Sequence, residues 1–473
     1  MHLPRRRFIG QCCAAVGFTG MASTLQSLRA TAAAASISSG SSTPGTSAAV
    51  PSDYKALVCI FLNGGNDASN LIIPNDSGYG AYASARSVLA LPQSSLLSLA
   101  PKTSDGRGWG LHPSLAEMHS LFGSGKVALL ANVGTLVHPT TKAQYSAGTV
   151  KLPPQLFSHN DQQVHWQSSV PDQPFKTGWA GRTADLLNSL NTNSTVSMSV
   201  TLNGFNHLQV SNQIAQLSVN PGTATTKGGP VAFNNTTGTN NAARYAAQKD
   251  LFNGQNANLF SSAFGALSTD AVQTSELLGN ILATSPNLAA TFPNTTLGNQ
   301  LKTIAYLISI ASSLNLKRQV FFARIGGWDT HADQVDDIDK ALGAHASLLQ
   351  QVSQAMNAFY NATAEMGCAD RVTTFTASDF GRTYISNGDG TDHGWGSHHL
   401  IMGGAVKGGD IYGRMPVLTV GGPDDTSQGR WIPTTSVDEY GSTLARWFGV
   451  SDTNMSVAFP NIGRFAKPDL GFL

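Results

Sequence analysis

The chain carries little charge for its length. Of its 473 residues only 12% are Asp, Glu, Lys or Arg. The formal charge of +1 becomes −3 once the first 35 residues, which hold four arginines and no acid, are set aside. Nucleic acid binding needs an excess of clustered Lys and Arg to neutralise phosphates. The composition therefore predicts no nucleic acid partner.

Cysteines and long apolar runs are also scarce. Only Cys59 and Cys368 follow residue 35, so the chain is not a disulfide scaffold, although one bridge between them stays open. Cys59 lies in the apolar run 57–62, where a cysteine packs as a small hydrophobe. No segment after the N-terminus approaches the roughly 18 apolar residues that cross a bilayer. We expect no stable membrane insertion.

The N-terminus predicts export. Arg5 and Arg6 precede Phe8 in the pattern Arg-Arg-x-Phe-Ile, and an alanine-rich stretch follows at 30–35. This combination is typical of a twin-arginine signal peptide, here residues 1–35, and places the mature protein in the periplasm or outside the cell. A Ser-rich flexible linker at 36–52 would then lead into a single domain over 53–473.

The remaining chain alternates strand and helix patterns. Apolar runs of strand length are predicted at 55–62, 126–133, 195–202, 319–325, 371–377 and 400–406. Helical patterns are predicted at 113–122, 178–190, 297–314, 333–365 (one helix or two) and 437–448. A Gly/Asn/Thr-rich helical insertion is expected at about 221–300. The alternation predicts an α/β protein, a three-layer α/β/α sandwich with a mainly parallel central sheet.

Acids and histidines follow several of these strands. A parallel sheet brings the loops at its strand ends to one edge, where such side chains meet. Carboxylates suit hard cations and imidazoles suit zinc, so we expect a divalent metal site; zinc, manganese and calcium are all candidates. The candidate ligands are the acids and histidines of these segments: Asp67, Asp329, His331, Asp379, Asp392, His393, His398 and His399. Arg382, shortly after Asp379, offers a guanidinium that would clamp an oxyanion.

The order of these motifs resembles one family. Arg-Arg-x-Phe, Asn-Gly-Gly-Asn-Asp at 63–67, Gly-Trp-Asp-Thr-His at 327–331, Asp-Phe-Gly-Arg at 379–382 and Thr-Asp-His-Gly at 391–394 look like the exported DUF1501 family. That family is similar to the alkaline phosphatase and sulfatase superfamily. The resemblance implies an alkaline phosphatase-like fold and a two-metal site.

The resemblance also implies individual roles. It would make Asp67 the ligand after the first strand, Asp329 and His331 the pair on a second metal, Asp379 the strand-end ligand and His393 the late histidine. Two departures stand out. Asp-Phe-Gly replaces the usual Asp-His-Gly at 379–381, and one residue rather than three separates the Asp–His pair. His398 and His399 are candidates for the missing imidazole.

A nucleophile in this superfamily lies at a helix N-terminus beside the metals, where free N–H groups stabilise an oxyanion. Ser158, with His159 next to it, resembles the family's Ser-His-Phe-Asp segment, and we take both as candidate catalytic residues. Simple helix capping explains Ser158 equally well. Thr135 and Thr140 are further candidates. The sulfatase signature Cys-x-Pro-x-Arg is absent, so formylglycine chemistry is unsupported.

The sequence thus leads to one principal hypothesis and one alternative. The first is an exported, metal-dependent hydrolase of a phosphate or sulfate ester, acting on a small-molecule or glycan substrate. The alternative is a catalytically inactive protein of the same fold that binds glycans or other ligands, or assists assembly.

Overall fold

A computed structural model describes residues 50–192, 196–230, 239–254 and 258–473. The predicted signal peptide and almost all of the predicted linker lie outside these residues. In chain order the strands are Lys55–Leu62 (β1), Ile72–Pro74 (β2), Leu97–Ser98 (β3), Trp109–Leu111 (β4), Val127–Gly134 (β5), Ser199–Thr201 (β6), Leu217–Asn220 (β7), Gly229–Pro230 (β8), Arg318–Ile325 (β9), Val372–Ser378 (β10), Ser397–Gly403 (β11), Ile411–Tyr412 (β12) and Thr435–Ser436 (β13).

Most strands join one large sheet in the order β12-β5-β11-β10-β1-β9-β6-β7-β8, with β13 also paired to β5. Neighbours run parallel except where β11 lies between β10 and β5 and where β8 pairs with β7. β1 lies at the centre and pairs with β9 and β10. A smaller antiparallel sheet contains β2, β4 and β3. The mainly parallel sheet is therefore confirmed.

Helices cover both faces of the large sheet. They are Tyr79–Arg86 (α1), Ala116–Gly123 (α2), Lys142–Ala147 (α3), His159–Ser168 (α4), Trp179–Leu187 (α5), Thr239–Asn253 (α6), Leu259–Thr284 (α7), Thr296–Ser309 (α8), Ala344–Glu365 (α9), Val437–Phe448 (α10) and Met455–Ala458 (α11). None is long and apolar enough to span a membrane within the ranges the structure describes.

The two faces of β1 explain the three layers. Val58 and Ile60 point into one core, where residues of α8 and α9 pack. Cys59 and Phe61 point into the other, with residues of α5 and α10. A strand buried on both faces needs apolar side chains at every position, which is why this run shows no polar alternation. The three-layer α/β/α architecture is confirmed. Cys59 and Cys368 are both free thiols.

Two expectations about elements need correction. Helix α9 begins only at Ala344, because the acids that precede it form turns: Asp336 Oδ1 accepts from the backbone N–H groups of Ile338 and Asp339. Such local bonds compete with the helical pattern. Strand β11 covers Ser397–Gly403, so it begins three residues before the strand predicted at 400–406. All of its residues are buried. The expected helical insertion corresponds in its described part to α6 and α7.

Candidate metal centre

Three histidines and one aspartate converge near the carboxyl ends of the central strands. Asp329 Oδ1 lies 3.1 Å from His331 Nε2 and 3.2 Å from His393 Nε2, and Asp329 Oδ2 lies 3.4 Å from His159 Nε2. Ligand atoms of His159, Asp329 and His393 all lie within 4.8 Å of one another. We call these four residues the His/Asp cluster. Their side chains are between 22% and 45% exposed, while the Nε2 atom of His159 is itself buried and has no hydrogen-bond partner among the described residues.

The outward nitrogen of each imidazole faces an oxygen acceptor. The Nδ1 pairs are His159 with Asp379 Oδ2 at 2.7 Å, His331 with Asp392 Oδ1 at 3.3 Å, and His393 with the carbonyl oxygen of Phe157 at 2.7 Å. An acceptor at Nδ1 selects the tautomer that carries its proton there and leaves a lone pair on Nε2. Metal-binding histidines are held in this way by carboxylates and carbonyls. The cluster residues therefore fit a metal ion.

The Nε2 atoms, which face into the cluster, also favour a bound cation. Nε2 of His331 and Nε2 of His393 are only 2.9 Å apart. With both protons on Nδ1, two lone pairs would face each other and repel, so a cation is required between or beside them. A proton on one ring satisfies the contact, and so does a metal ion. Three imidazole nitrogens and a carboxylate favour zinc or a similar transition metal over calcium, which prefers oxygen ligands.

Two loops position Asp329 against the sheet. Asp329 follows β9 through two glycines, and the buried Trp328 donates its backbone N–H to the Asn63 carbonyl in the loop after β1. Gly64 in that loop has φ +125°, and a Cβ there would lie 2.4 Å from the backbone nitrogen of Asp329. Only glycine fits this conformation and this close approach. The Asn-Gly-Gly segment therefore fixes where Asp329 stands.

Arg382 holds the same carboxylate from behind. Its Nη1 donates to Asp329 Oδ1 at 2.9 Å and to the Gly64 carbonyl at 2.8 Å. Nε and Nη2 donate to the carbonyl of Thr391, and the side chain is fully buried. Although burial raises the pKa of Asp329, the Arg382 hydrogen bond and charge, aided by His159 and His331, hold it below its usual value. All three nitrogens of Arg382 are engaged, so it positions Asp329 instead of clamping an oxyanion as expected.

Asp67 does not join the cluster. Its buried carboxylate pairs with Arg86 and also accepts from Gln334 Nε2. Burial raises the pKa of Asp67, but the Arg86 charge and these hydrogen bonds bring it below its usual value. Gln334 Oε1 accepts in turn from Thr391 Oγ1 at 2.8 Å, and Thr391 Oγ1 accepts from Arg382 Nε. The structure thus gives Asp67 a supporting role behind Arg382, where a metal ligand was expected.

Asp379 also lies outside the cluster and contacts it through one histidine. It follows β10 directly and is buried, and its Oδ2 accepts from His159 Nδ1 and, at 3.0 Å, from Gln163 Nε2. The hydrogen bond with Asp379 raises the pKa of His159. Phe380 lies where the superfamily would have an imidazole, and its ring packs 4.8 Å from that of His159. His159 therefore brings an imidazole to the side of the site where the sequence lacks one.

Ser158 is the N-cap residue of α4, but its hydroxyl makes no capping bond. Its Oγ donates to Asp161 Oδ2 at 2.6 Å. Of the other candidate nucleophiles, Thr135 is buried and donates to Gln162 Oε1, while Thr140 bonds the His138 carbonyl. Only Ser158 is a direct neighbour in sequence of a cluster residue.

His398 and His399 do not replace the missing ligand. Both are buried within β11. His398 Nδ1 accepts from the backbone N–H of Asn132, and His399 packs between Trp166 and Tyr440. Burial lowers the pKa of His398 to about 4 and that of His399 to about 3, so both are neutral core residues at physiological pH.

The sequence named every member of the cluster but assigned some roles differently. His159 was expected to be catalytic, and its Ser-His motif at a helix start was the signal that identified it. The supporting residues Arg86 and Gln334 were missed, because no local pattern marks a residue whose partner is distant in sequence. Thr391 and Asp392 were part of a recognised motif, yet the contact of Thr391 with Arg382 and the place of Asp392 opposite His331 became visible only in the structure.

Three solved structures are similar to this chain at low scores. Ps i-CgsB in complex with k-i-k-neocarrahexaose has a TM-score of 0.35 and 11% identity, with 88% of this chain and 77% of that chain covered. The lipoteichoic acid synthase LtaP from Listeria monocytogenes gives 0.33 and 8%, covering 90% and 78%. The phosphonate monoester hydrolase SpPMH from Silicibacter pomeroyi gives 0.30 and 8%, covering 84% and 73%.

No curated protein is a significant sequence match. The family described as "Protein of unknown function (DUF1501)" matches residues 54–452, which include the whole His/Asp cluster and the residues that support it. The four motifs noted between residues 63 and 394 all lie within this match, and Arg-Arg-x-Phe at 5–8 lies outside it. The chain belongs to the DUF1501 family.

Proposed function

We propose that the His/Asp cluster binds one divalent transition metal ion, zinc or manganese, and that the protein hydrolyses a phosphate or sulfate ester with it. The observation that carries the proposal is the orientation of the imidazoles. Nε2 of His159, His331 and His393 all face Asp329, while each Nδ1 faces an oxygen. This is the ligand arrangement of a metal site with its outer contacts in place.

The residues around the cluster suit hydrolysis. When bound, a divalent ion supplies Lewis acidity toward an ester oxygen and lowers the pKa of water. Arg382 and the Gly64 loop hold Asp329 still, and the partial exposure of the cluster lets a substrate reach it. Ser158, which precedes His159 in sequence and whose hydroxyl donates to Asp161, is the candidate for a protein nucleophile. Without Ser158 in that role, water would attack the ester.

One observation favours the alternative of ligand binding without turnover. The Arg382 guanidinium, which was expected to stabilise charge on a substrate, is fully bonded within the protein. A site without a free guanidinium there would still hold an anion near its metal but would not stabilise the charge that develops during cleavage. Substrate turnover, measured separately from metal content, distinguishes these functions.

We further propose that the protein is exported through the twin-arginine pathway and acts in the periplasm or outside the cell. The support is the Arg-Arg-x-Phe-Ile pattern at 5–9 with the alanine-rich stretch behind it. Proteins on this route fold before they cross the membrane, so a metal would be bound in the cytoplasm.

The first experiment is metal analysis by mass spectrometry on protein exported by its own signal and purified without a histidine tag. We expect about one metal ion per chain in the wild type, and its loss in the double variant His159→Ala with His393→Ala. His119→Ala, which removes a histidine outside the cluster, should keep the metal. Wild-type protein that stays metal-free after zinc and manganese are added back would overturn the metal site.

The second measurement is hydrolysis of an aryl phosphate and an aryl sulfate by the same proteins. We expect metal-dependent turnover of at least one ester by the wild type and by His119→Ala, and none by the double variant. Ser158→Ala then identifies the nucleophile: loss of turnover with metal retained assigns the serine, and retained turnover assigns water. A metal-loaded wild type that cleaves neither ester would contradict the hydrolase and favour the ligand-binding protein.

A further inference from the structure

Arg430 is anchored to the scaffold of the His/Asp cluster. Its Nε donates to the backbone carbonyl of His393 at 2.8 Å, and its guanidinium carbon lies 5.2 Å from the centre of the Phe157 ring. Phe157 is also the residue whose carbonyl oxygen holds His393 Nδ1. Two contacts therefore fix the Arg430 side chain beside a cluster histidine.

Among the residues that the structure describes, no carboxylate forms an ion pair with Arg430. Its Nη1 donates to two neutral acceptors, Gln428 Oε1 at 2.7 Å and Ser427 Oγ at 3.2 Å. Its Nη2 donates to no group in the described ranges, and no carboxylate oxygen there lies within ion-pair distance of the guanidinium. The residue is half-buried, and its Nη1 bonds lie at the exposed surface. It is thus a fixed cation with donors left for a ligand.

Other arginines near the site and in the neighbouring cleft differ from Arg430. Arg382 is fully buried and bonds Asp329, and Arg86 is buried against Asp67. Arg414, which lines a cleft of about 510 Å³ on another part of the surface, forms a bidentate pair with Asp424. An arginine already paired with a carboxylate must lose that partner before it binds an anion, whereas Arg430 need not.

We propose that Arg430 binds the anionic group of the ligand at this site, a tetrahedral oxyanion of the phosphate or sulfate class. Its Nη2 keeps both N–H donors for oxygens of such a group, and its fixed position reduces the entropy lost on binding. The assignment of that anion to an ester substrate rests on the proposed function. Binding of the anion itself does not, because it requires no turnover.

This inference predicts that the site prefers anionic ligands to neutral ones. With the carboxylate of Asp329 compensated by Arg382, the unpaired positive charge beside the cluster is that of Arg430. A charged monoester or diester would gain a charge-assisted hydrogen bond that a neutral ester cannot form. We therefore expect the site to select sulfated or phosphorylated ligands over neutral esters of the same shape.

The test is equilibrium binding of inorganic phosphate and inorganic sulfate by calorimetry to the purified wild type. Variants Arg430→Gln and Arg430→Lys are compared with the control Arg414→Gln. Loss of one charge-assisted pair should weaken binding of at least one anion about ten- to hundredfold in Arg430→Gln. Arg430→Lys should fall between it and the wild type, because a point charge remains but the fixed Nη2 donors are lost. Arg414→Gln should bind as the wild type does.

The outcome is separable from that of the proposed function. Metal content is measured on each protein and should be the same in Arg430→Gln as in the wild type. Anion binding that depends on Arg430 in a protein without ester turnover would support this inference while the hydrolase fails. A wild type that binds neither anion, or an Arg430→Gln variant that binds both as tightly as the wild type, would overturn it whether or not esters are cleaved.

Discussion

Asp438 shows what burial alone does to a carboxyl group. It lies in the first turn of α10, is 1% exposed, and its Oδ1 has no hydrogen-bond partner. Burial raises the pKa of Asp438 to about 8, against the lowering effects of the neighbouring Ser169 hydroxyl and of the Arg182 charge. A group whose pKa is raised in the folded state favours folding in its protonated form. Its ionised form is the one that burial penalises.

We therefore predict a pH-dependent effect of Asp438→Asn. Below about pH 4 the carboxyl is protonated in both states, and the variant should differ little from the wild type. As the pH rises to about 8, folding must keep the wild-type carboxyl protonated or bury its charge, so the wild type loses stability that the variant keeps. At about 1.4 kcal/mol per pKa unit the difference should reach a few kcal/mol.

Urea unfolding at both ends of this pH range measures the effect. The exposed Asp337→Asn serves as the control and should follow the wild type. A difference between Asp438→Asn and the wild type that stays constant with pH would show that Asp438 does not titrate in this way.

At the scale of elements, the loops after β1, β9 and β10 build the cluster together. Gly64 is where these loops approach each other most closely. Because it has no side chain, the loop after β1 can contact the backbone of Trp328 and Asp329. Its carbonyl also receives a hydrogen bond from Arg382. The positions of Asp329 and Arg382 thus both depend on one glycine.

We predict that Gly64→Ala lowers metal content and weakens zinc affinity at least tenfold. The new Cβ would overlap the Asp329 backbone and require a left-handed φ, a strain of roughly 1 to 3 kcal/mol that the loop relieves by moving. Gly80→Ala, in α1 with open space around its Cβ, is the matched control and should keep normal metal binding. A Gly64→Ala protein with wild-type zinc affinity would show that the two loops move independently.

The elements themselves were largely predictable from sequence. The apolar runs of β1, β9 and β10 are buried on both faces, and an apolar run of this length predicts a central strand. Helix α9 was predicted too long, because the Asp-rich segment before it has a helical pattern but forms turns through side-chain bonds. A local sequence pattern does not show whether a segment will form the backbone bonds of a helix or the side-chain bonds of a turn.

The site was predictable in membership more than in roles. Asp329, His331 and His393 follow or precede strands that meet at one sheet edge, and topology alone brings them together. Asp67 carried the same signal, yet its charge is matched by Arg86 from α1. The choice between a metal ligand and a buried ion pair depends on a partner that lies in another element.

At the scale of the whole molecule, metal binding at the cluster would be linked to folding. The cluster draws on α4, the loop after β9 and the loop before β11, so an ion bound there would hold distant segments of the chain together. The unfolded chain lacks this arrangement and binds the ion far more weakly. A ligand specific for the folded state raises the free energy of unfolding with its concentration.

We predict that zinc raises the melting temperature of metal-stripped wild-type protein in a concentration-dependent manner. At a hundredfold excess over Kd the gain is about 2.7 kcal/mol, a shift of a few degrees for a domain of this size. The variant His331→Ala should show a smaller shift, and magnesium, which prefers oxygen ligands, should have little effect. Equal shifts with zinc in the wild type and in His159→Ala with His393→Ala would place the bound ion elsewhere.

The central position of β1 has a consequence for how the chain acquires its structure. Ala56 pairs with Gln319 on one side and with Val372 on the other, so the middle of the sheet joins an early segment to two late ones. Closing such long loops slows folding, since the entropy is lost before the strand contacts form. During synthesis β1 cannot pair with β9 or β10 until most of the chain has been made. The early βα segments alone would expose an unpaired apolar strand, so prolonged chaperone contact is expected before the sheet closes.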